Sequence, residues 1–291
     1  MNYTEQLKQY GPAPTVEQVD ALVAAARKGA SKNENKEVYK LCYSTIDLTS
    51  LNGTDSDKRI AEFTQKAVDF PAHFNGIPNV ASICVYPSMV EVVGLTLGST
   101  PMAITSVSGG FPSSQTYIEV KALETAMAIE NGADEIDIVI SLGQMLTGDY
   151  DRMAGEIEVL KAECGDVTLK VIIESGALQT PELIWNASIL SMLAGADFVK
   201  TSTGKIPVAV TPEAAAVMCS AVKAYYEKTG RKVGFKAAGG VATAADSALY
   251  YTIIEQILGP AWLTPALFRI GASSLANNLL GAIEEREVKY F

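Results

Sequence analysis

Eight short apolar or β-branched segments recur along this chain, each separated from the next by an amphipathic, helix-forming stretch. That alternation leaves few folds open. The strand-like segments are Leu41-Cys42-Tyr43-Ser44, Ser82 to Tyr86, Met102 to Val107, Glu135 to Ile140, Thr168 to Ile173, Asp197 to Thr201, Val233 to Ala237 and Phe268 to Ala272. Between them lie stretches such as YIEVKALETAMAIENGA and TPEAAAVMCSAVKAYYEKTG. Strands alternating with helices form parallel βα units. Eight such units close most simply into a (β/α)8 or TIM barrel of the α/β class, with an open doubly wound sheet as the alternative. No GxGxxG follows the first strand, which weighs against the open sheet.

The first forty residues stand apart. Thr15 with Gln18 forms a capping box that starts the helix VEQVDALVAAARK, which is expected to stop at Gly29. SKNENKE then reads as a polar linker. Residues 1–40 are read as an N-terminal helical extension packed on a barrel domain spanning residues 41–291.

Composition narrows the function classes. A net charge of −10 disfavours nucleic acid and anionic membranes as partners, so an anionic substrate needs a local cluster of donors. The four cysteines, Cys42, Cys84, Cys164 and Cys219, form no CxxC pair, and His73 is the single histidine. A Cys/His zinc site or a disulfide framework is therefore not expected. The polar start MNYTEQLKQYG lacks the apolar core of a signal peptide, and no stretch is long and apolar enough to span a bilayer. A soluble, cytoplasmic protein is expected.

Sorting each strand by period two shows which side chains face the barrel axis. In EIDIVI the row Ile136, Ile138 and Ile140 meets the helices, leaving Glu135, Asp137 and Val139 inside. The same sorting turns Lys170, Ile172 and Glu174 inward on the fifth strand, Phe198, Lys200 and Ser202 on the sixth, and Gly234, Lys236 and Ala238 on the seventh. Four consecutive strands thus send Asp137, Lys170, Lys200 and Lys236, with Glu174, to one axis. Such charges can simply pair, as ion-pair networks in barrels do. Three lysines against few acids favour another use. Burial and mutual repulsion both lower a lysine pKa. A free lysine is neutral about once in 2,500 at pH 7, and bringing its pKa down by roughly three units leaves about half of it ready to attack. A neutral amine in a dry cavity suits Schiff-base formation with a carbonyl substrate.

Two segments point to an anionic ligand. KAAGGV ends the seventh strand, with Gly239-Gly240 before a helix starting near Thr243, and GASSL ends the eighth, with Ser273 and Ser274 opening the last helix. Amides and hydroxyls at helix starts in these two loops can cradle a phosphate. Gly204-Lys205, after the sixth strand, adds an amide and a positive charge.

Six segments carry a family resemblance: IDLTSLN (Ile46 to Asn52), GADEIDIVI (Gly132 to Ile140), LKVIIESG (Leu169 to Gly176), AGADFVKTSTGK (Ala194 to Lys205), VGFKAAGGV (Val233 to Val241) and FRIGASS (Phe268 to Ser274). Over residues 41 to 290 the chain resembles the deoxyribose-phosphate aldolases, class I aldolases on a (β/α)8 barrel that use no metal or organic cofactor. The resemblance implies reversible cleavage of 2-deoxy-D-ribose 5-phosphate into acetaldehyde and D-glyceraldehyde 3-phosphate, in deoxyribonucleotide catabolism. It also implies a homo-oligomer, dimer or tetramer. By the same resemblance Lys200 is the Schiff-base nucleophile, Lys236 the neighbouring cation, Asp137 a proton carrier working with water, and Asp47 an orienting or relay group. Gly204, Lys205, Gly239, Gly240, Ser273 and Ser274 hold the phosphate or frame its pocket, and Thr203 bonds a substrate hydroxyl or supports that loop.

The chain departs from many members at Ser113-Ser114 in GGFPSSQT, and at Ser141 and Leu146 in ISLGQMLTGDY. Cys84 matches a cysteine that in some members reacts with an unsaturated aldehyde, although a strand cysteine is most simply core. Tyr290 is a candidate for the mobile C-terminal tyrosine that some members use as a proton relay, the alternative being a disordered tail. His73, in a loop-like setting, receives no role. Two rival readings are another lysine-dependent aldolase or transaldolase-like lyase on this barrel, and a silent phosphate-binding scaffold.

Overall fold

The computed structural model describes residues 2–291. Eight parallel strands close into a barrel in chain order, β8 pairing with β1 through Ile270 and Ile46. They are β1 (Ile46–Thr49), β2 (Ser82–Val85), β3 (Ala103–Val107), β4 (Glu135–Val139), β5 (Thr168–Ile172), β6 (Phe198–Lys200), β7 (Gly234–Ala238) and β8 (Phe268–Ala272). The helices are α1 (Tyr3–Leu7), α2 (Val16–Asn33), α3 (Lys36–Ser44), α4 (Asp57–His73), α5 (Val90–Leu97), α6 (Ile118–Glu130) and α7 (Leu142–Thr147). They continue with α8 (Tyr150–Cys164), α9 (Ser175–Leu178), α10 (Pro181–Leu193), α11 (Pro212–Thr229), α12 (Ala244–Ile257) and α13 (Ser274–Glu284).

The core is the layer between barrel and helices. Ile136, Ile138, Val171, Ile173, Val199, Phe235 and Ile270 point outward from their strands and are all buried there. The strand alternation that sends these residues to the helices sends the intervening ones to the axis.

Two expectations near the N-terminus are corrected. Leu41 to Ser44 is not a strand but the end of α3, and the barrel begins at Ile46. Asn35 caps that helix by accepting from the Val38 amide, and Val38, Cys42 and Tyr43 line up as its buried face. An apolar run this short suits either a strand or one side of a helix. Nor does α2 stop at Gly29: it starts at the Thr15–Gln18 capping box and runs on to Asn33. Gly29 instead marks a close approach, since a Cβ there would stand 2.7 Å from Nε2 of Gln256 and 3.2 Å from Cγ2 of Thr252 on α12. Asn33 fastens the same seam, donating to Oγ1 of Thr252 and Oε2 of Glu255, both at 2.9 Å. The extension therefore packs on the outer helical ring at α11 and α12.

His73 is also relocated. It ends α4, with its ring 5.3 Å from that of Tyr290. Among the described residues no helix is long and apolar enough to cross a membrane.

Candidate active site

The inward rows meet in a buried polar cluster centred on Asp137 of β4. Its Oδ2 accepts hydrogen bonds from Nζ of Lys200 and from Nζ of Lys236, each at 2.7 Å, and its Oδ1 accepts from Lys170 at 3.0 Å. Sheet register makes this possible: Asp137 lies opposite Lys170, and Lys200 opposite Lys236. Asp47 of β1 closes the other side. It pairs with Lys236 and accepts from Ser82 at 2.8 Å and from Nη1 of Arg269 at 2.6 Å. Asp47 is therefore fully buried in the cluster and is not a turn or cap residue.

Sequence reasoning missed Arg269. Phe268 and Ile270 face the helices, so alternation turns Arg269 inward, where it also grips Glu135 through Nη2 at 2.7 Å. Lys170 sits between Glu135, at 2.6 Å, and Asp137. It belongs to a neutralised layer and is not a free cation crowding Lys200. Phe198 fills the axis beside this layer; a Cβ on the facing Gly234 would lie 2.5 Å from its Cζ, with two further ring carbons nearer still.

Counting charge shows that the fully protonated cluster is one proton in excess. Four basic side chains, Lys170, Lys200, Lys236 and Arg269, face three carboxylates, Asp47, Glu135 and Asp137. Removing one proton balances the cluster. Burial and the charge of Lys236 pull the Lys200 pKa below the ordinary lysine value, although Asp137 resists. For Lys236, burial is outweighed by Asp137 and Asp47 together, so its pKa is raised and it stays a cation. Against the cost of burial, three lysines hold Asp137 well below the usual carboxylate range. Lys236, Arg269 and Lys170 likewise lower Asp47. Of the four, Lys200 is the one whose pKa is shifted towards the neutral form.

Lys200 lines a cavity of about 500 Å³. Asp137, Lys236 and Asp47 do not line it; they stand behind Lys200, out of solvent. The cavity wall includes Thr203, Gly204, Lys205, Gly239, Gly240, Ser273 and Ser274, so all seven residues expected to bind substrate or its phosphate meet in one place. The two helix starts differ, however. The first amides of α12 are engaged by a Thr243–Asp246 capping box, whereas Ser273 makes no capping hydrogen bond at α13. The helix end free to meet an anion is that of α13.

Glu174 departs from expectation. It does not join the lysines; with φ at +54° it turns its carboxylate to the β6 loop, accepting from the amide of Thr203 at 3.1 Å and its hydroxyl at 2.6 Å. The Thr203 hydroxyl in turn accepts from the Lys205 amide at 3.1 Å. Lys205 donates through Nζ to the Leu51 carbonyl, bridging the β6 and β1 loops.

An apolar patch lies beside the carboxylate that the lysine pair shares. Leu51, Cys84 and Val107 pack together with Tyr86 and Phe111, and Val107 lies opposite Asp137 in the sheet. Burial pushes the Cys84 thiol up, so it is inert core here. Ser114 and Ser141 converge on one buried knot. Lys121 donates to Ser114 at 2.7 Å and to Glu156 at 2.8 Å, and Ser141 donates to the same Glu156 oxygen. Leu146 is exposed.

The C-terminal tail is docked. The Tyr290 hydroxyl donates to the Lys66 carbonyl at 2.8 Å, and Asn277 Oδ1 accepts from the amides of both Tyr290 and Phe291. Phe291 reaches the cavity, and Tyr290 does not line it.

Comparison with known proteins adds an independent line. Residues 42–277 match the DeoC/LacD family of aldolases. A Caenorhabditis elegans protein is 40 % identical over 266 residues, covering 91 % of this chain and 88 % of that one. The Homo sapiens protein named deoxyribose-phosphate aldolase is 39 % identical over 246 residues, 80 % of this chain and 77 % of its own. A solved structure from Toxoplasma gondii shares the fold, with a TM-score of 0.76 at 21 % identity over 88 % of this chain and 97 % of that one.

Proposed function

Because the chain belongs to the DeoC/LacD family of aldolases, we propose that it reversibly cleaves 2-deoxy-D-ribose 5-phosphate to acetaldehyde and D-glyceraldehyde 3-phosphate through a Schiff base on Lys200. The observation that carries this reading is one amine at the cavity wall, 2.7 Å from a buried carboxylate it shares with a second, permanently charged lysine.

Neutral Lys200 attacks the C1 carbonyl of the open-chain sugar to give a carbinolamine. A proton taken up from solvent and relayed through water by the ionised Asp137 reaches the departing hydroxyl, and loss of water leaves a protonated imine. The C2–C3 bonding electrons then flow to the imine as a base takes the C3 hydroxyl proton. This releases D-glyceraldehyde 3-phosphate and leaves a neutral enamine. Protonation of the enamine carbon, again by Asp137 and water, and hydrolysis of the imine release acetaldehyde and restore the amine. Asp47 holds Lys236 in place, and Arg269 neutralises Asp47 from the far side. The apolar patch at Leu51, Cys84 and Val107 keeps the imine dry. Gly204, Lys205, Gly239, Gly240, Ser273 and Ser274 take the 5-phosphate, with Thr203 shaping their loop.

Borohydride reduction in the presence of acetaldehyde, followed by peptide mass spectrometry, tests the covalent step. The expected product is a reduced two-carbon adduct on the peptide containing Lys200. A label on a different lysine, or none, defeats the proposal.

We assign the catalytic domain to residues 41–291 with residues 1–40 as its extension, and place the enzyme in the cytoplasm. We also assign a homo-oligomeric state. In its support, Tyr117, Val120, Leu123 and Met127 form an exposed apolar stripe at helical spacing along α6. Light scattering should return about two or four times the 30.9 kDa chain mass. A monomer at micromolar concentration ends that assignment.

A further inference from the structure

The structure assigns Arg59, at the start of α4, as a specificity residue that grips the substrate phosphate from the side opposite the β6–β8 loops. This rests on the aldolase reading above and adds to it a residue that neither the strand pattern nor the family motifs marked. The chain carries a net charge of −10, yet the cavity wall holds Arg59, Lys200 and Lys205 and no acidic side chain. Lys200 is the reacting amine, and Lys205 is partly committed to the Leu51 carbonyl. Arg59 is the remaining cation.

One carboxylate pairs with this largely exposed guanidinium, from its Nε side. Asp55 sits 3.4 Å from Nε, while Nη1 and Nη2 make no hydrogen bond among the described residues. Asp55 is itself fixed, accepting from Ser50 Oγ at 2.8 Å and the Asn52 amide at 2.9 Å, which ties Arg59 to the loop that follows β1. One helical turn on, Phe63 also lines the cavity, edge to face with Phe291 at 6.3 Å between ring centroids. A guanidinium paired through Nε leaves its two terminal nitrogens to make a bidentate contact with a phosphate.

Arg59→Gln and Arg59→Lys separate this role from a structural one. With 2-deoxyribose 5-phosphate, Arg59→Gln should raise KM about ten-fold while kcat changes less than about two-fold, as expected for loss of one partly exposed charge-assisted hydrogen-bond pair. Arg59→Lys should recover only part of that loss, and unphosphorylated 2-deoxyribose should show no comparable change in KM. Titration calorimetry with inorganic phosphate should show weaker binding to Arg59→Gln than to the unaltered protein. An unchanged KM for the phosphorylated sugar, an equal loss on both sugars, or unchanged phosphate affinity overturns the assignment. Failure of the unaltered protein to cleave the phosphorylated sugar would sink the aldolase substrate instead, and the calorimetric comparison would still decide Arg59.

Discussion

Lys200→Arg should lose kcat by about 10⁴-fold or more, which in practice means no detectable cleavage of 2-deoxyribose 5-phosphate. Arginine keeps the positive charge and much of the length, so the pairing with Asp137 can persist and the barrel should stay folded. What it cannot do is become a neutral nucleophile, since a guanidinium holds its proton throughout the accessible pH range. Lysine and arginine therefore differ here in chemistry more than in packing. Glyceraldehyde 3-phosphate release, followed with a coupled dehydrogenase, reads the loss, and circular dichroism checks the fold. Turnover within ten-fold of the unaltered enzyme would remove the covalent step from the mechanism.

Lys236→Met should cost about 10³-fold in kcat/KM at pH 7, and the loss should shrink as pH rises. The sign follows from the cluster. Reaction needs Lys200 without its proton, so activity climbs with pH until Lys200 is neutral and then levels. In the unaltered protein this limb ends below the ordinary lysine value, because burial and the Lys236 charge both favour the neutral amine. Methionine keeps the bulk and removes the charge. Asp137, no longer shared with Lys236, then attracts the proton on Lys200 alone, and the rising limb moves to higher pH. A pH–rate profile for both proteins measures the displacement. Superimposable limbs would mean that Lys236 does not tune Lys200.

Much of this site was legible before any coordinates, because a strand's period of two is rigid. Once Ile136, Ile138 and Ile140 were assigned to the helices, Asp137 had to face the axis, and similar rows placed Lys170, Lys200 and Lys236. The same rule covers Arg269, between Phe268 and Ile270, but its partners Glu135 and Asp47 lie on other strands. Position on a strand is local; pairing across the axis is not. Leu41 to Ser44 was misread for a related reason. Four residues, three of them apolar, carry too little periodicity to separate strand from helix, and the Asn35 cap that decides the matter lies six residues upstream of Leu41. Gly29 looked like a stop because helix ends favour glycine, whereas its reason lies in Gln256 and Thr252, more than two hundred residues away. Arg59 carried no motif, and only the folded barrel brings it into the same cavity wall as Ser273 and Ser274.

In the proposed reaction, the imbalance of four basic groups against three acids is felt twice in each turnover. At rest it favours the loss of a proton from Lys200. Once the imine forms, the same nitrogen again bears a positive charge, in surroundings that were already balanced without it. That intermediate is therefore a hungrier acceptor for the electron pair of the breaking carbon–carbon bond, and the neutral enamine is where the cluster comes to rest. A residue set that looks like a stabilising salt network thus tilts the central step of the reaction forward.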